Sequence, residues 1–367
     1  MSLKKSLVVL SICVAQLSCA ALKPNGAVGD TLSAGQLQPF GRFILHEQAG
    51  LELISSAVHF ELGFEGAECK IYASIPSPEG HNYLQYELDG VYQKRIRIEG
   101  NSNAPLHIQV PQGKHKVKIF KATEAHTGQI FISKVEARQI RSIPVKCGPM
   151  IEFIGNSITC GAAADASEIA CGIADYHDQH NAYMAYGPRV SRMLDVNYML
   201  SSVSGIGIYR NWNSDGPAMP KVYEKADFQE NGTSMWDFST YSPDIVSIAL
   251  GTNDFSNGDG KTPRKPFDAD VFVSNYIKFV SLVKTKYPNA KIALLSSPML
   301  KGDARLKLQE CLNRVQAEVD SMYPKNKVAK FFFKPMDARG CTGHPSVEDH
   351  LILAEQLRPF FKSLLRS

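Results

Sequence analysis

Short segments between residues 41 and 143 alternate apolar and polar side chains. Examples are residues 57–62, 83–88 and 116–120, and glycine and proline residues separate many such segments. A period of two places successive side chains on opposite faces of a strand. About one hundred residues of short strands with one buried face are typical of a β-sandwich. The pattern therefore predicts an all-β, jelly-roll-like sandwich over residues 41–143.

The pattern changes after residue 143, where apolar runs alternate with longer amphipathic stretches. The runs are residues 150–154, 198–203, 245–250 and 291–295, and the amphipathic stretches are residues 182–194, 268–287, 304–322 and 347–365. Strands that are apolar on both faces and alternate with helices predict a mainly parallel sheet covered on both sides. We therefore expect a three-layer α/β domain over residues 147–367.

The first 20 residues fit neither domain. Two lysines precede an apolar run at 7–17, and small residues follow it. This order is typical of a secretory signal peptide, and the run is shorter than the ~20 residues of a membrane span. Cys19 leaves a lipoprotein signal as the alternative, although Gln16 stands where such a signal has an aliphatic residue. We expect cleavage after Ala20, a linker at 21–40 and a secreted or periplasmic protein.

Charge and cysteine content narrow the range of partners. The chain has 40 basic and 36 acidic residues, and so small a net charge gives no reason to expect nucleic acid as a partner. No stretch after the signal peptide is apolar enough to suggest a membrane span.

Six of the eight cysteines follow the predicted signal peptide, and their spacing lacks the CxxC pairs of a zinc site. In an exported chain they favour disulfides, for which we predict the pairs Cys160–Cys171 and Cys311–Cys341.

The strongest chemical signal lies at the end of the run at 150–154, which leads directly into Gly155, Asn156 and Ser157. The carboxyl ends of strands form the ligand crevice of an open α/β sheet, so Ser157 would be displayed there. The motif is not the GxSxG elbow, because Thr159 occupies the last glycine position. Alone, it fits a nucleophile and a helix-capping serine equally well.

Three further residues are candidate partners of a nucleophile. Asn253 follows the run at 245–250, and its amide can donate to an oxyanion. Gly205 follows the run at 198–203 and can present its backbone N–H to the same oxygen. His344 precedes the last helix and can act as the base that a serine requires. Each also has a structural alternative, as a turn, a cap or a surface histidine.

Together, Ser157, Gly205, Asn253 and His344 resemble the four blocks that give the SGNH hydrolases their name, in the same order. With a β-sandwich ahead of it, the chain is similar to carbohydrate esterase family 2, the acetylxylan esterases. The supporting stretches are residues 153–161, 180–187, 204–211, 241–257 and 344–347.

The resemblance implies a flavodoxin-like sheet and a serine esterase. Ser157 would be the nucleophile and His344 its base. The backbone N–H groups of Ser157 and Gly205, with the amide of Asn253, would form the oxyanion hole. No cofactor or metal is expected, and the partner would be an O-acetylated plant polysaccharide or oligosaccharide such as xylan, mannan or glucomannan.

Two positions depart from the SGNH pattern. Asn156 replaces the usual aspartate beside the nucleophile, at a position that takes no part in the reaction. The family commonly places an aspartate two or three residues before the catalytic histidine, where this chain has Thr342 and Cys341. We therefore predict that a backbone carbonyl near His344 orients the imidazole, with Asp337 as the alternative.

Two tryptophans and three loops bear on the substrate. We expect Trp212, beside the second motif, to contact substrate, and Trp236 to serve packing. A lipase on the same scaffold stays an alternative, which the polar loops at 165–179, 211–216 and 256–266 disfavour. An inactive carbohydrate-binding protein is the second alternative, and the presence of Ser157 and His344 argues against it.

Overall fold

The computed structural model describes residues 29–261 and 263–366, and the predicted signal peptide lies outside them. An antiparallel β-domain comes first. Its strands are β1 (Gly29–Ser33), β2 (Phe43–His46), β3 (Gly50–Leu53), β4 (His59–Ser74), β5 (His81–Leu88), β6 (Val91–Glu99), β7 (Leu106–Lys121) and β8 (Ile130–Ile143). Hydrogen bonds connect them in the order β2-β3-β8-β4-β7-β5-β6, with β1 beside β8.

Apolar and polar side chains alternate along the two longest strands, β4 and β7, and the apolar ones form the core of this domain. Phe60, Leu62 and Phe64 on β4 are buried, as are Val117 and Ile119 on β7. Their polar neighbours in sequence point away from this core, which is the pattern that the sequence predicted. Strand β1 lies within the segment that we predicted as linker.

A five-stranded sheet, parallel throughout, forms the second domain. Its strands are β9 (Met150–Gly155), β10 (Asn197–Ser202), β11 (Ile245–Ile248), β12 (Lys291–Leu295) and β13 (Ala329–Phe331). They lie in the order β10-β9-β11-β12-β13. Counted within this domain the order is 2-1-3-4-5, which is the flavodoxin-like arrangement. The predicted fold class, an all-β domain ahead of a flavodoxin-like domain, is confirmed.

Helices cover both faces of this sheet. They are α1 (Ser157–Cys160), α2 (Tyr186–Leu194), α3 (Met219–Val222), α4 (Ala269–Lys286), α5 (Gly302–Met322) and α6 (Val347–Arg366). α4 and α5 share a core with one face of the sheet, and α2 and α6 share another with the opposite face. α2 begins at Tyr186, later than the predicted 182, because the extended Ala185 separates it from a short 3-10 turn. Across 29–261 and 263–366, no helix has both the length and the apolar character that crossing a membrane requires.

A buried arginine joins the two domains. Arg42, ahead of β2, donates from Nη1 to the carbonyls of Tyr223 at 2.7 Å and Lys225 at 2.9 Å. Its Nη2 lies 3.6 Å from the Glu152 carboxylate on β9, and both side chains are fully buried. Trp236 packs nearby and is buried, as predicted. Polar contacts between buried side chains and backbone carbonyls therefore hold the β-domain against the parallel sheet.

Candidate active site

Ser157 lies where β9 ends, between the neighbouring strands β10 and β11. This is the switch point at which flavodoxin-like sheets bind their ligands. Gly155 is required by close packing, because a Cβ there would collide with the Thr159 side chain. Asn156 caps α1 by accepting a 3.1 Å hydrogen bond from the Ile158 N–H. An aspartate carboxylate could accept the same bond, which explains why asparagine is tolerated.

The structure brings Ser157 and His344 together across 187 residues of sequence. Nε2 of His344 lies 2.9 Å from Oγ of Ser157. On the other side of the ring, Nδ1 lies 3.2 Å from the carbonyl oxygen and 3.1 Å from Oγ1 of Thr342. With Nδ1–H donating to that carbonyl, Nε2 is left as the acceptor that faces the serine.

The turn that supplies this carbonyl has an unusual backbone. Thr342 adopts φ 50° and ψ 32°, a left-handed conformation that β-branched residues rarely adopt. Such conformations cost of order 1–3 kcal/mol and persist where the surrounding structure enforces them. Here the turn directs the Thr342 carbonyl towards the imidazole.

The acidic residues near His344 in sequence are engaged elsewhere. Asp337 is 92% exposed and forms an ion pair with Lys301. Glu348 accepts from the Ser346 hydroxyl at 2.8 Å. Asp349 binds the Arg339 side chain and backbone N–H. The geometry therefore fits the predicted backbone carbonyl and not the alternative, Asp337.

Burial affects the protonation of His344. It lowers the pKa of His344 below the usual 6.5, and hydrogen bonds to the backbone of Thr342 and Cys341 oppose this shift. A lowered pKa keeps the imidazole neutral at neutral pH, which is the form that can accept a proton from a serine.

Gly205 and Asn253 lie on connected loops beyond β10 and β11. Gly205 has φ +75°, a conformation that favours glycine. Asn253 is buried, and its Nδ2 donates to the Ile206 carbonyl at 2.8 Å. An amide nitrogen carries two hydrogens, so this bond orients the side chain and uses only one of its two N–H donors.

Asp254 holds the loop that follows Gly205. Its buried carboxylate accepts from the backbone N–H groups of Ile208 and Tyr209, each at 3.0 Å. Burial raises the pKa of Asp254 to about 6, and these hydrogen bonds oppose the rise. Asp254 directly follows Asn253 in the sequence, but the sequence pattern indicated no role for it.

Two residues that the sequence analysis missed also reach the site. Tyr176, on the loop at 165–180, places its hydroxyl 3.3 Å from Nε2 of His344 and 3.4 Å from Oγ of Ser204. Glu124, from the β-domain, accepts from the Ser204 N–H. No motif indicated a role for either residue, since each meets the site through contacts between distant segments.

The predicted disulfides are wrong. The bond joins Cys171 to Cys341. Cys160 is buried in α1 with Sγ 3.2 Å from Oγ of Ser202, and Cys311 is buried in the core that contains α5. Proximity in sequence suggested the wrong partners because both of these thiols point into packed interiors. The observed bond ties the loop that carries Tyr176 to the turn that precedes His344.

One group of metal-ligating side chains occurs among the residues that the structure describes. Ligand atoms of His81, His177 and Asp178 lie within 4.8 Å of one another. Hydrogen bonds already account for the carboxylate, which accepts from Nε2 of His81 at 2.7 Å and from the Tyr83 hydroxyl at 2.6 Å. We therefore interpret this group as a structural contact that holds the loop at 165–180 against strand β5.

The predicted substrate contact, Trp212, lies beside the Gly205 loop. Its backbone N–H donates to the Gly205 carbonyl at 2.7 Å, and its side chain is 46% exposed. A large aromatic ring is thus presented to solvent next to the site.

Comparison with known proteins agrees with this architecture. Residues 40–144 match the model of the carbohydrate esterase 2 N-terminal domain, and residues 153–332 match the GDSL-like lipase/acylhydrolase family. The predicted resemblance to the SGNH hydrolases and to carbohydrate esterase family 2 is confirmed. The two matched domains follow one another in the order of the carbohydrate esterase 2 N-terminal domain and the GDSL-like domain.

Individual relatives cover both domains. An acetylxylan esterase/glucomannan deacetylase of Cellvibrio japonicus is 29% identical over 82% of this chain and 82% of its own. The cellulase/esterase CelE of Acetivibrio thermocellus is 28% identical over 89% of this chain and 39% of its own. A family two carbohydrate esterase from Clostridium thermocellum, solved with cellohexaose, superposes with a TM-score of 0.78 at 26% identity, covering 91% of this chain and 99% of that one.

Proposed function

We propose that this protein is a serine esterase of carbohydrate esterase family 2 that removes O-acetyl groups from plant cell-wall polysaccharides, such as xylan, mannan or glucomannan. The observation that carries the proposal is the 2.9 Å contact between Oγ of Ser157 and Nε2 of His344 at the switch point of the sheet. The relative named acetylxylan esterase/glucomannan deacetylase supports this class of substrate.

The reaction proceeds through an acetyl-enzyme. Oγ of Ser157 attacks the acetyl carbonyl while His344 takes its proton, and the imidazolium is held by the Thr342 carbonyl. The N–H groups of Ser157 and Gly205 and the amide of Asn253 stabilise the oxyanion. His344 then gives the proton to the departing sugar oxygen, and a water activated by the same base releases acetate.

Trp212 supplies a surface for the sugar. Its exposed ring, next to the Gly205 loop, suits stacking against the apolar face of a pyranose. The relative solved with cellohexaose supports a groove for a sugar chain. Trp212→Ala should therefore raise KM for acetylated oligosaccharides and change little for a small aryl acetate.

The protein acts outside the cytoplasm. The predicted signal peptide at 1–20 supports secretion or a periplasmic location. The Cys171–Cys341 disulfide supports the same compartment, because such bonds persist in oxidising environments.

Acetate release from acetylated xylan, acetylated glucomannan and defined sugar acetates tests the proposed function. Ser157→Ala should abolish release and keep the fold, because the change removes only a hydroxyl. A protein that binds the polysaccharide without releasing acetate would instead be an inactive binding protein. A preference for long-chain over acetyl nitrophenyl esters would identify a lipase.

A further inference from the structure

Tyr176 reaches into the site from a loop with four separate anchors. The Cys171–Cys341 disulfide joins this loop to the turn before His344. The Asp178 side chain binds His81 and Tyr83 on β5. Arg95 on β6 donates to the carbonyls of Asp178 and His180. Asn181 donates to the Asp165 carboxylate at 2.7 Å. So many anchors indicate that the position of the tyrosine is fixed by the fold. They are spread over both domains.

The ring of Tyr176 is held on two sides by histidines. The Tyr176 and His180 rings are nearly perpendicular with centroids 4.7 Å apart, and the Tyr176 and His344 rings are tilted with centroids 5.7 Å apart. The hydroxyl lies 3.3 Å from Nε2 of His344 and 3.4 Å from Oγ of Ser204. The residue as a whole is still 38% exposed.

The hydroxyl hydrogen of Tyr176 is not needed by the resting histidine. With Nδ1 protonated, Nε2 has one lone pair. The Ser157 hydroxyl, at 2.9 Å, lies closer to Nε2 than the Tyr176 hydroxyl and donates to that lone pair. Desolvation raises the pKa of the Tyr176 hydroxyl above its usual value of 10. The hydroxyl therefore keeps its proton, and stays a hydrogen-bond donor, at neutral pH.

The chemistry requires another oxygen at this place. In acylation the Ser157 Oγ–carbon bond forms, the bond from that carbon to the sugar oxygen breaks, and the proton taken by His344 passes to the sugar oxygen. That oxygen must therefore come within hydrogen-bond distance of Nε2, where the Tyr176 hydroxyl already lies.

We infer that Tyr176 donates a hydrogen bond to the departing sugar oxygen and stabilises the negative charge that develops there. The tyrosine keeps its own proton, since His344 supplies the one that is transferred. The inference rests on the proposed esterase reaction and adds to it a residue that acts on the alcohol side of the ester.

The test is Tyr176→Phe, assayed on acetate esters whose alcohols range from nitrophenol to simple alkyl alcohols and sugars. A nitrophenolate leaves as a stable anion and needs no donor, whereas an alkoxide does. We expect kcat/KM, which reports acylation, to fall about ten- to a hundredfold for alkyl and sugar acetates, as for loss of one hydrogen bond to a developing charge. For nitrophenyl acetate it should change less than about threefold.

Two variants serve as controls. Tyr72→Phe removes a hydroxyl that donates to Glu136 at 2.8 Å in the β-domain and should change neither class of substrate. Tyr83→Phe removes the donor to Asp178 and loosens the loop, so it should affect both classes alike. A purely structural role of Tyr176 would give that second pattern.

An equal fall for aryl and alkyl acetates in Tyr176→Phe would overturn the inference. The series of simple acetates measures the dependence on the leaving group without any polysaccharide. The inference about Tyr176 can therefore fail while the protein still hydrolyses acetylated polysaccharide. Failure of the proposed substrate would appear separately, as no acetate release from any polysaccharide by the unaltered protein.

Discussion

At the scale of single residues, the site combines side chains that motifs reveal with others that only the fold reveals. Ser157, Gly205 and Asn253 each follow an apolar strand, so the rule that ligands bind at strand carboxyl ends was enough to propose them. Tyr176 and Glu124 could not be found in this way. Tyr176 is 168 positions from His344, and Glu124 is 80 positions from Ser204, and neither separation leaves a local pattern.

The pH dependence of the reaction follows from the lowered pKa of His344. Only the neutral imidazole accepts the serine proton, so activity is full above this pKa and is lost as the pH falls through it. Because burial lowers the pKa from 6.5, the acidic limb of a kcat/KM profile should have its midpoint below pH 6.5. A midpoint clearly above that value would mean that a carboxylate, and not a carbonyl, partners the ring.

Replacing Asp337 tests the same point by mutation. Its side chain is 92% exposed and paired with Lys301, so Asp337→Asn should change kcat by no more than a few-fold. Loss of a true triad aspartate lowers kcat about 10⁴-fold. A fall of that size, measured beside a nearly inactive His344→Ala, would show that the acid reaches the imidazole during catalysis.

At the scale of elements, segments with a clear hydrophobic pattern were predicted well, whereas two short strands without one were not predicted. The predicted helix at 268–287 is observed as Ala269–Lys286, because eighteen residues of apolar periodicity leave little freedom in its bounds. Strand β13 has three residues, all half-buried. Strand β1 buries only Leu32. Neither carries enough of a pattern to be recognised without its neighbours.

The Cys171–Cys341 disulfide joins the loop at 165–180 to the turn that precedes His344. It closes a separation of 170 residues, so its removal should lower the free energy of unfolding by about 2–5 kcal/mol. We expect the double variant Cys171→Ser/Cys341→Ser to show this loss in denaturant titrations, together with reduced kcat.

Cys147→Ser is the matched control, since this cysteine is free and exposed, and it should leave stability and activity unchanged. Thiol titration of the unfolded, unreduced chain should find Cys69, Cys147, Cys160 and Cys311 reactive. Labelling of Cys171 or Cys341 would contradict the assignment.

At the scale of the whole molecule, the β-domain takes part in building the active site. Glu124 extends from the segment after β7 and accepts from the N–H of Ser204, next to Gly205. Glu124→Ala removes this acceptor and should lower kcat by about tenfold or more, as the oxyanion loop relaxes. Glu124→Gln keeps an acceptor oxygen and should retain more activity. Equal activity in the two variants would show that the contact does not position the loop.

The buried contacts of Arg42 have a consequence for a chain that is cut between its domains. A protease that cleaves the exposed segment between β8 and β9 would leave two fragments held by the arginine, its carbonyl partners and Glu152. The nicked enzyme would then behave as a heterodimer. Its activity would depend on dilution, and the concentration at which half is lost would measure how tightly one domain binds the other.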